Sequence, residues 1–72
     1  MSLDADLAAT ASYVARVRRS IARQRVQLVK LSDIGCSTAD AEETLQVLRE
    51  TLSTLEFHKQ HLLDLRQRAA LA

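Results

Sequence analysis

Only one residue in this 72-residue chain, Gly35, can reverse the backbone without strain, and no proline interrupts it anywhere. Sheet proteins need turn residues at short intervals, and β-branched or aromatic residues to fill their strands. Here the turn vocabulary is confined to one place, and the aromatics are Tyr13 and Phe57 alone. Twelve leucines and eleven alanines supply most of the apolar content instead. An all-β or α/β domain is excluded. Disorder is disfavoured as well, because 47% of the residues are hydrophobic and the net charge is only +1. The chain reads as all-α, a single domain over residues 1–72 with one sharp turn.

Two heptad patterns lie on either side of that turn. In the first, Leu7, Val14, Ile21 and Leu28 recur every seven residues, with Leu3, Thr10, Val17, Gln24 and Leu31 as the companion line. A third line, Ala8, Ala15, Ala22 and Val29, widens the apolar face on one side. The second pattern has Ala41, Leu48, Leu55, Leu62 and Ala69 on one line. Leu45 and Leu52 flank it early, and His58 and Leu65 are expected to flank its other side later, as a slow drift would require. The spacing predicts helices over about 3–33 and 38–70, each about 45–50 Å long at about 1.5 Å per residue.

The turn, 34–37, carries its own signals. Gly35 should close helix 1 in a left-handed conformation, with Cys36 packing back on Leu31. Ser37-Thr38-Ala39-Asp40 reads as a capping box, with the Ser37 hydroxyl on the Asp40 amide and the carboxylate returning. Helices joined this closely must run antiparallel, since six linking residues cannot span a helix about 45 Å long. Facing residue numbers should then add to roughly 70, pairing Leu28 with Leu45, Ile21 with Leu52, Val17 with Leu55 and Leu7 with Leu65.

Charge is distributed in blocks. Arg16, Arg18, Arg19, Arg23, Arg25 and Lys30 stand between Leu7 and Ser32 without one acidic residue. Asp40, Glu42, Glu43, Glu50 and Glu56 follow, with Arg49 alone among them, and Lys59, Arg66 and Arg68 face Asp64 near the end. An antiparallel hairpin sets Arg23, Arg25 and Lys30 against the acidic start of helix 2, and Asp4 and Asp6 against Arg66 and Arg68. Exposed pairs contribute about 0.2–1 kcal/mol each, so they choose orientation more than they stabilise.

A two-helix hairpin is one layer, and a domain needs two. The alanine line and the Leu63 flank lie beside the seam, and each Å² left wet forgoes about 25 cal/mol. A second copy is the simplest cover, because twofold dimers are the commonest oligomers. The expectation is a homodimer forming an antiparallel four-helix bundle through Ala15, Ala22, Val29 and Leu63. Val26, Val47 and Phe57 fall off the main stripes and are candidates for contact with an unidentified protein partner.

Little else suggests chemistry. His58 and His61 lie at i and i+3 and are weak metal candidates, because neither has a Glu or Asp three residues before it. No nucleophile elbow, phosphate loop or Cys/His cluster is present, so no catalytic role and no cofactor is expected. Gln24 either sets register from the core line or reaches water at its edge. Cys36, the lone cysteine, reads as a loop-packing residue before a reactive thiol. Arg16, Arg19, Arg23 and Lys30 make a cationic stripe on helix 1 that could follow RNA or DNA phosphates, the alternative to a protein-interaction role. Against it stand the acidic block of helix 2 and the shortage of stacking aromatics. With no apolar span, no leader-like N-terminus and no disulfide pair, the expected location is cytoplasmic and away from membranes.

Ile21-Ala22-Arg23-Gln24-Arg25, Gly35-Cys36-Ser37-Thr38-Ala39-Asp40-Ala41-Glu42 and Thr54-Leu55-Glu56-Phe57-His58 together cover most of residues 13–65. In these motifs the chain resembles an uncharacterised group of short alphaproteobacterial helical-hairpin proteins. It departs from their pattern at Ile34 and Cys36, where the group has Asp and His. The resemblance implies a compact bacterial helical hairpin and supplies no activity.

Overall fold

The computed structural model describes residues 2–71, one position short of the predicted domain at each end. Two helices account for nearly all of it: α1, Leu3–Asp33, and α2, Ala39–Leu71. They pack antiparallel along their length in a rod 59 Å long with a cross-section of 16 × 15 Å. That cross-section holds one helix pair side by side. The all-α hairpin is therefore what the chain forms.

The seam of α1 is the predicted one. Leu7, Thr10, Val14 and Ile21 are buried, and Leu3, Val17, Gln24, Leu28 and Leu31 are half-buried. Thr10 is tolerated inside because its hydroxyl donates to the Asp6 carbonyl at 2.8 Å. Gln24 is half-buried, as Val17, Leu28 and Leu31 on its line are.

In α2 the drift does not occur. Ala41, Leu45 and Leu62 are buried and Leu48, Leu52 and Leu55 half-buried, but the companion line continues straight from Leu52 to half-buried Lys59. His58 is exposed and Leu65 is 38% exposed, so neither covers the flank expected of it, and Ala69, expected on the main line, is exposed as well. Leu7 is buried, while Leu65, its expected partner, is left partly open to solvent. A lysine can hold this position because its aliphatic stem covers apolar surface while the ammonium reaches water.

The turn closes as a Schellman motif. Gly35 has φ +76, its N–H donates to the Ser32 carbonyl at 3.1 Å, and the Cys36 N–H donates to the Leu31 carbonyl at 2.9 Å. The Cys36 side chain is exposed, so the bond to Leu31 runs through its backbone. A β-carbon on Gly35 would meet nothing within 4 Å, so the only penalty of adding one is conformational. Gly35→Ala should therefore lower stability by about 1–2 kcal/mol, read as an earlier urea midpoint with unchanged slope. An unchanged midpoint would remove the left-handed cap from the account.

The start of α2 corrects the expected capping box. Thr38 holds the cap position, its carbonyl accepting from the Glu42 N–H at 2.9 Å. The Ser37 hydroxyl accepts from the Ala39 N–H at 3.3 Å and not from Asp40. Asp40 thus sits inside the first turn, where its charge faces the positive helix end. At the other end, Ser2 caps α1 by accepting from the Ala5 N–H at 3.0 Å, with Asp4 and Asp6 in the first turn.

Candidate functional site: the lateral face beside the seam

A side-chain bond fixes which flanks of the two helices share a side. Arg18 of α1 donates to Glu56 of α2 at 2.6 Å. Heptad steps from these residues generate two facing lines: Ala11, Arg18 and Arg25 on α1, and Leu63, Glu56 and Arg49 on α2. Ala8, Ala15, Ala22 and Val29 stand three residues before or four after members of the first line, so they adjoin it on the same side. The expected alanine stripe and Leu63 therefore do lie on one lateral face. Ala8, Ala22 and Val29 are exposed, and Ala15 and Leu63 are half-buried.

The hairpin leaves its apolar residues incompletely covered. No large side chain among the described residues is fully buried, and the best-shielded core residues retain 5–8% exposure. Val26 and Val29 lie on the outer surface of α1 with Arg25 and Lys30 at their edges. Val47 is exposed on α2, and Phe57 is 79% exposed.

The expected charge matching is only partly present. Two ion pairs cross the helices among the described residues, Arg18–Glu56 and Arg66–Asp4, the latter at 3.6 Å. Both obey the antiparallel register. Arg23 instead donates to Ser20 on its own helix at 3.0 Å. Neither Arg25 nor Lys30 forms an ion pair with the acidic start of α2 among the described residues. The two pairs are well exposed and lie in the range of about 0–1 kcal/mol.

The basic residues of α1 divide between two lines. Arg16, Arg23 and Lys30 follow one seven-residue line, with Arg19 next to it, and all four are exposed. Arg16 lies over the Tyr13 ring at 4.8 Å from its centre, a cation–π contact within one turn. Arg18 and Arg25 are on the other line, the one facing α2. His58 and His61 are exposed, and no third His, Cys, Asp or Glu joins them into a metal-holding group among the described residues. No described helix is long and apolar enough to cross a membrane.

Sequence reasoning missed two features of these surfaces. Ser2 as the cap of α1 was available from its position before Asp4 and Asp6. The convergence of Arg25 and Arg49 needed the register, because both belong to blocks of opposite average sign. Comparison with protein families, curated proteins and solved structures returns no match. The likeness to the alphaproteobacterial group therefore rests on the quoted motifs alone.

Proposed function

We propose that this chain is a non-enzymatic interaction module, a helical hairpin that pairs with a second copy of itself to form a four-helix bundle. One observation carries the reading: Ala8, Ala15, Ala22, Val29 and Leu63 share a lateral face of a single-layer hairpin and none of them is buried. A second hairpin laid on that face supplies the missing layer, and alanines allow its helices to approach closely. The exposed Phe57, Val47 and Val26 would remain outside the bundle as a surface for a further protein partner. A cytoplasmic setting suits a single exposed cysteine. Sedimentation equilibrium tests the central claim. The expected mass is twice the 8.0 kDa of the chain, and a folded monomer at micromolar concentration overturns it.

The second reading is an RNA- or DNA-binding dimer, supported by the exposed line of Arg16, Arg23 and Lys30 with Arg19 beside it. Phosphate contacts of this kind weaken steeply as salt rises. A mobility shift with mixed nucleic acids should then fade between about 50 and 200 mM salt. No shift at the lower concentration removes this reading.

A further inference from the structure

One heptad toward the turn from the Arg18–Glu56 pair, the same two facing positions are held by Arg25 and Arg49. Where the first layer closes with opposite charges, the second sets two arginines beside one groove. That groove is lined by Arg18, Ile21, Ala22, Arg25, Arg49 and Leu52. Ile21 is buried and Leu52 half-buried, so the floor is apolar, while Ala22 is too small to close the mouth. Glu56 already receives Arg18, and Glu50 receives the Gln46 amide at 2.9 Å. Arg25 and Arg49 themselves take part in no ion pair and no side-chain hydrogen bond among the described residues.

Like charges at facing positions of packed helices work against the fold. We propose that this groove is an oxyanion site, and that its ligand is a terminal phosphate group bound between Arg25 and Arg49. The chemistry selects that class. Each guanidinium presents paired N–H donors in a planar fork that matches two oxygens of a phosphate. A terminal phosphate has three free oxygens and close to two negative charges, enough to satisfy both forks and neutralise both cations. A carboxylate has two oxygens and one charge, and a phosphodiester likewise exposes two oxygens and one charge. Arg18 at the edge of the groove adds long-range attraction without leaving Glu56.

The site stands apart from the stripe of Arg16, Arg23 and Lys30, which lies on a different line of α1. It shares its lateral face with the proposed dimer surface, Ala22 belonging to both, so a bound phosphate and a second copy compete there. Binding is read by titration and assembly by sedimentation, so failure of one is separable from failure of the other.

The test uses the full chain and inorganic pyrophosphate as probe, followed through the arginine side-chain N–H resonances. Saturable shifts confined to Arg25, Arg49 and Arg18 are expected. Arg49→Gln should weaken binding at least tenfold, whereas Arg68→Gln, which removes the same charge from an exposed distant site, should leave it unchanged. A phosphate monoester distinguishes a small-molecule source from a polymer, with a short RNA lacking terminal phosphates as the third arm. Equal weakening by both variants, or shifts that grow without saturating, would reduce the effect to charge screening and overturn the site. Binding of the RNA through Arg25 and Arg49 without binding of pyrophosphate overturns the terminal-phosphate assignment. Arg49→Glu gives an independent check. It repeats the Arg18–Glu56 arrangement one layer away, so it should raise the melting temperature and abolish pyrophosphate binding together.

Discussion

Leu45→Ala is expected to remove a large part of the stability of the hairpin. Leu45 is only 5% exposed, among the best-shielded residues of a thin core. Truncating a buried leucine to alanine costs about 2–5 kcal/mol, the spread reflecting how far the neighbours collapse into the space. A chain of this size holds roughly 4–11 kcal/mol in all, at about 0.05–0.15 kcal/mol per residue. Even a loss near 2 kcal/mol is about a fifth to a half of that total. The two-helix layout places the cost toward the lower end, because solvent borders the seam on both sides and a shallow cavity can be filled by shifting side chains. Urea unfolding followed by circular dichroism reads it as an earlier midpoint. The measurement must be made at one fixed protein concentration, since self-association adds to apparent stability. Leu71→Ala is the comparison, because Leu71 is 80% exposed and its loss should fall within about 0.5 kcal/mol. Equal midpoints for the two variants would contradict the seam described here.

How far this seam is legible in the sequence depends on which residues are counted. In α1 every core position is apolar or small apart from Gln24, so counting apolar residues in sevens recovers the whole line from Leu3 to Leu31. In α2 the same count goes astray at Lys59. The pattern of apolar residues breaks there and shifts by one to His58 and then to Leu65. The helix itself does not shift. Its seven-residue geometry continues through half-buried Lys59, a residue whose stem can cover apolar surface while its ammonium reaches water, so the apolar count mistakes a polar residue for a change of face.

The turn shows a second kind of limit. Gly35 was legible because a left-handed cap has a near-unique residue requirement. The start of α2 was not, because Ser37 and Thr38 are both good caps and the choice between them depends on the path of the chain out of the Schellman turn. The facing of Arg25 with Arg49 was hidden in another way. The blocks around them average to basic and acidic, and an attraction between blocks survives an error of several residues. A side-chain site does not. It required the register fixed by Arg18 and Glu56.

The double substitution Ala8→Glu, Val29→Glu should convert the proposed dimer into a folded monomer. Both residues are exposed in the hairpin and lie on one line near its two ends, so the carboxylates remain solvated in the single chain. Helicity and the intramolecular seam should survive. In a bundle that covers this face the carboxylates would be taken out of water at positions built from alanine and valine, where Arg25 and Lys30 border position 29 but no cation of the stripe meets position 8. Burying an unpaired charge costs several kcal/mol, and each 1.4 kcal/mol is a tenfold change in dissociation constant. A weakening of at least a hundredfold is expected. Sedimentation would then report the 8.0 kDa chain mass at concentrations where the unmodified protein reports twice that value. Gln27→Glu adds a carboxylate to an exposed position on the opposite flank of α1 and should leave the mass unchanged. If the double variant sediments as the unmodified dimer does, the alanine face is free in the assembly. The covering surface would then have to be sought around Val47 and Phe57, on the outer side of α2.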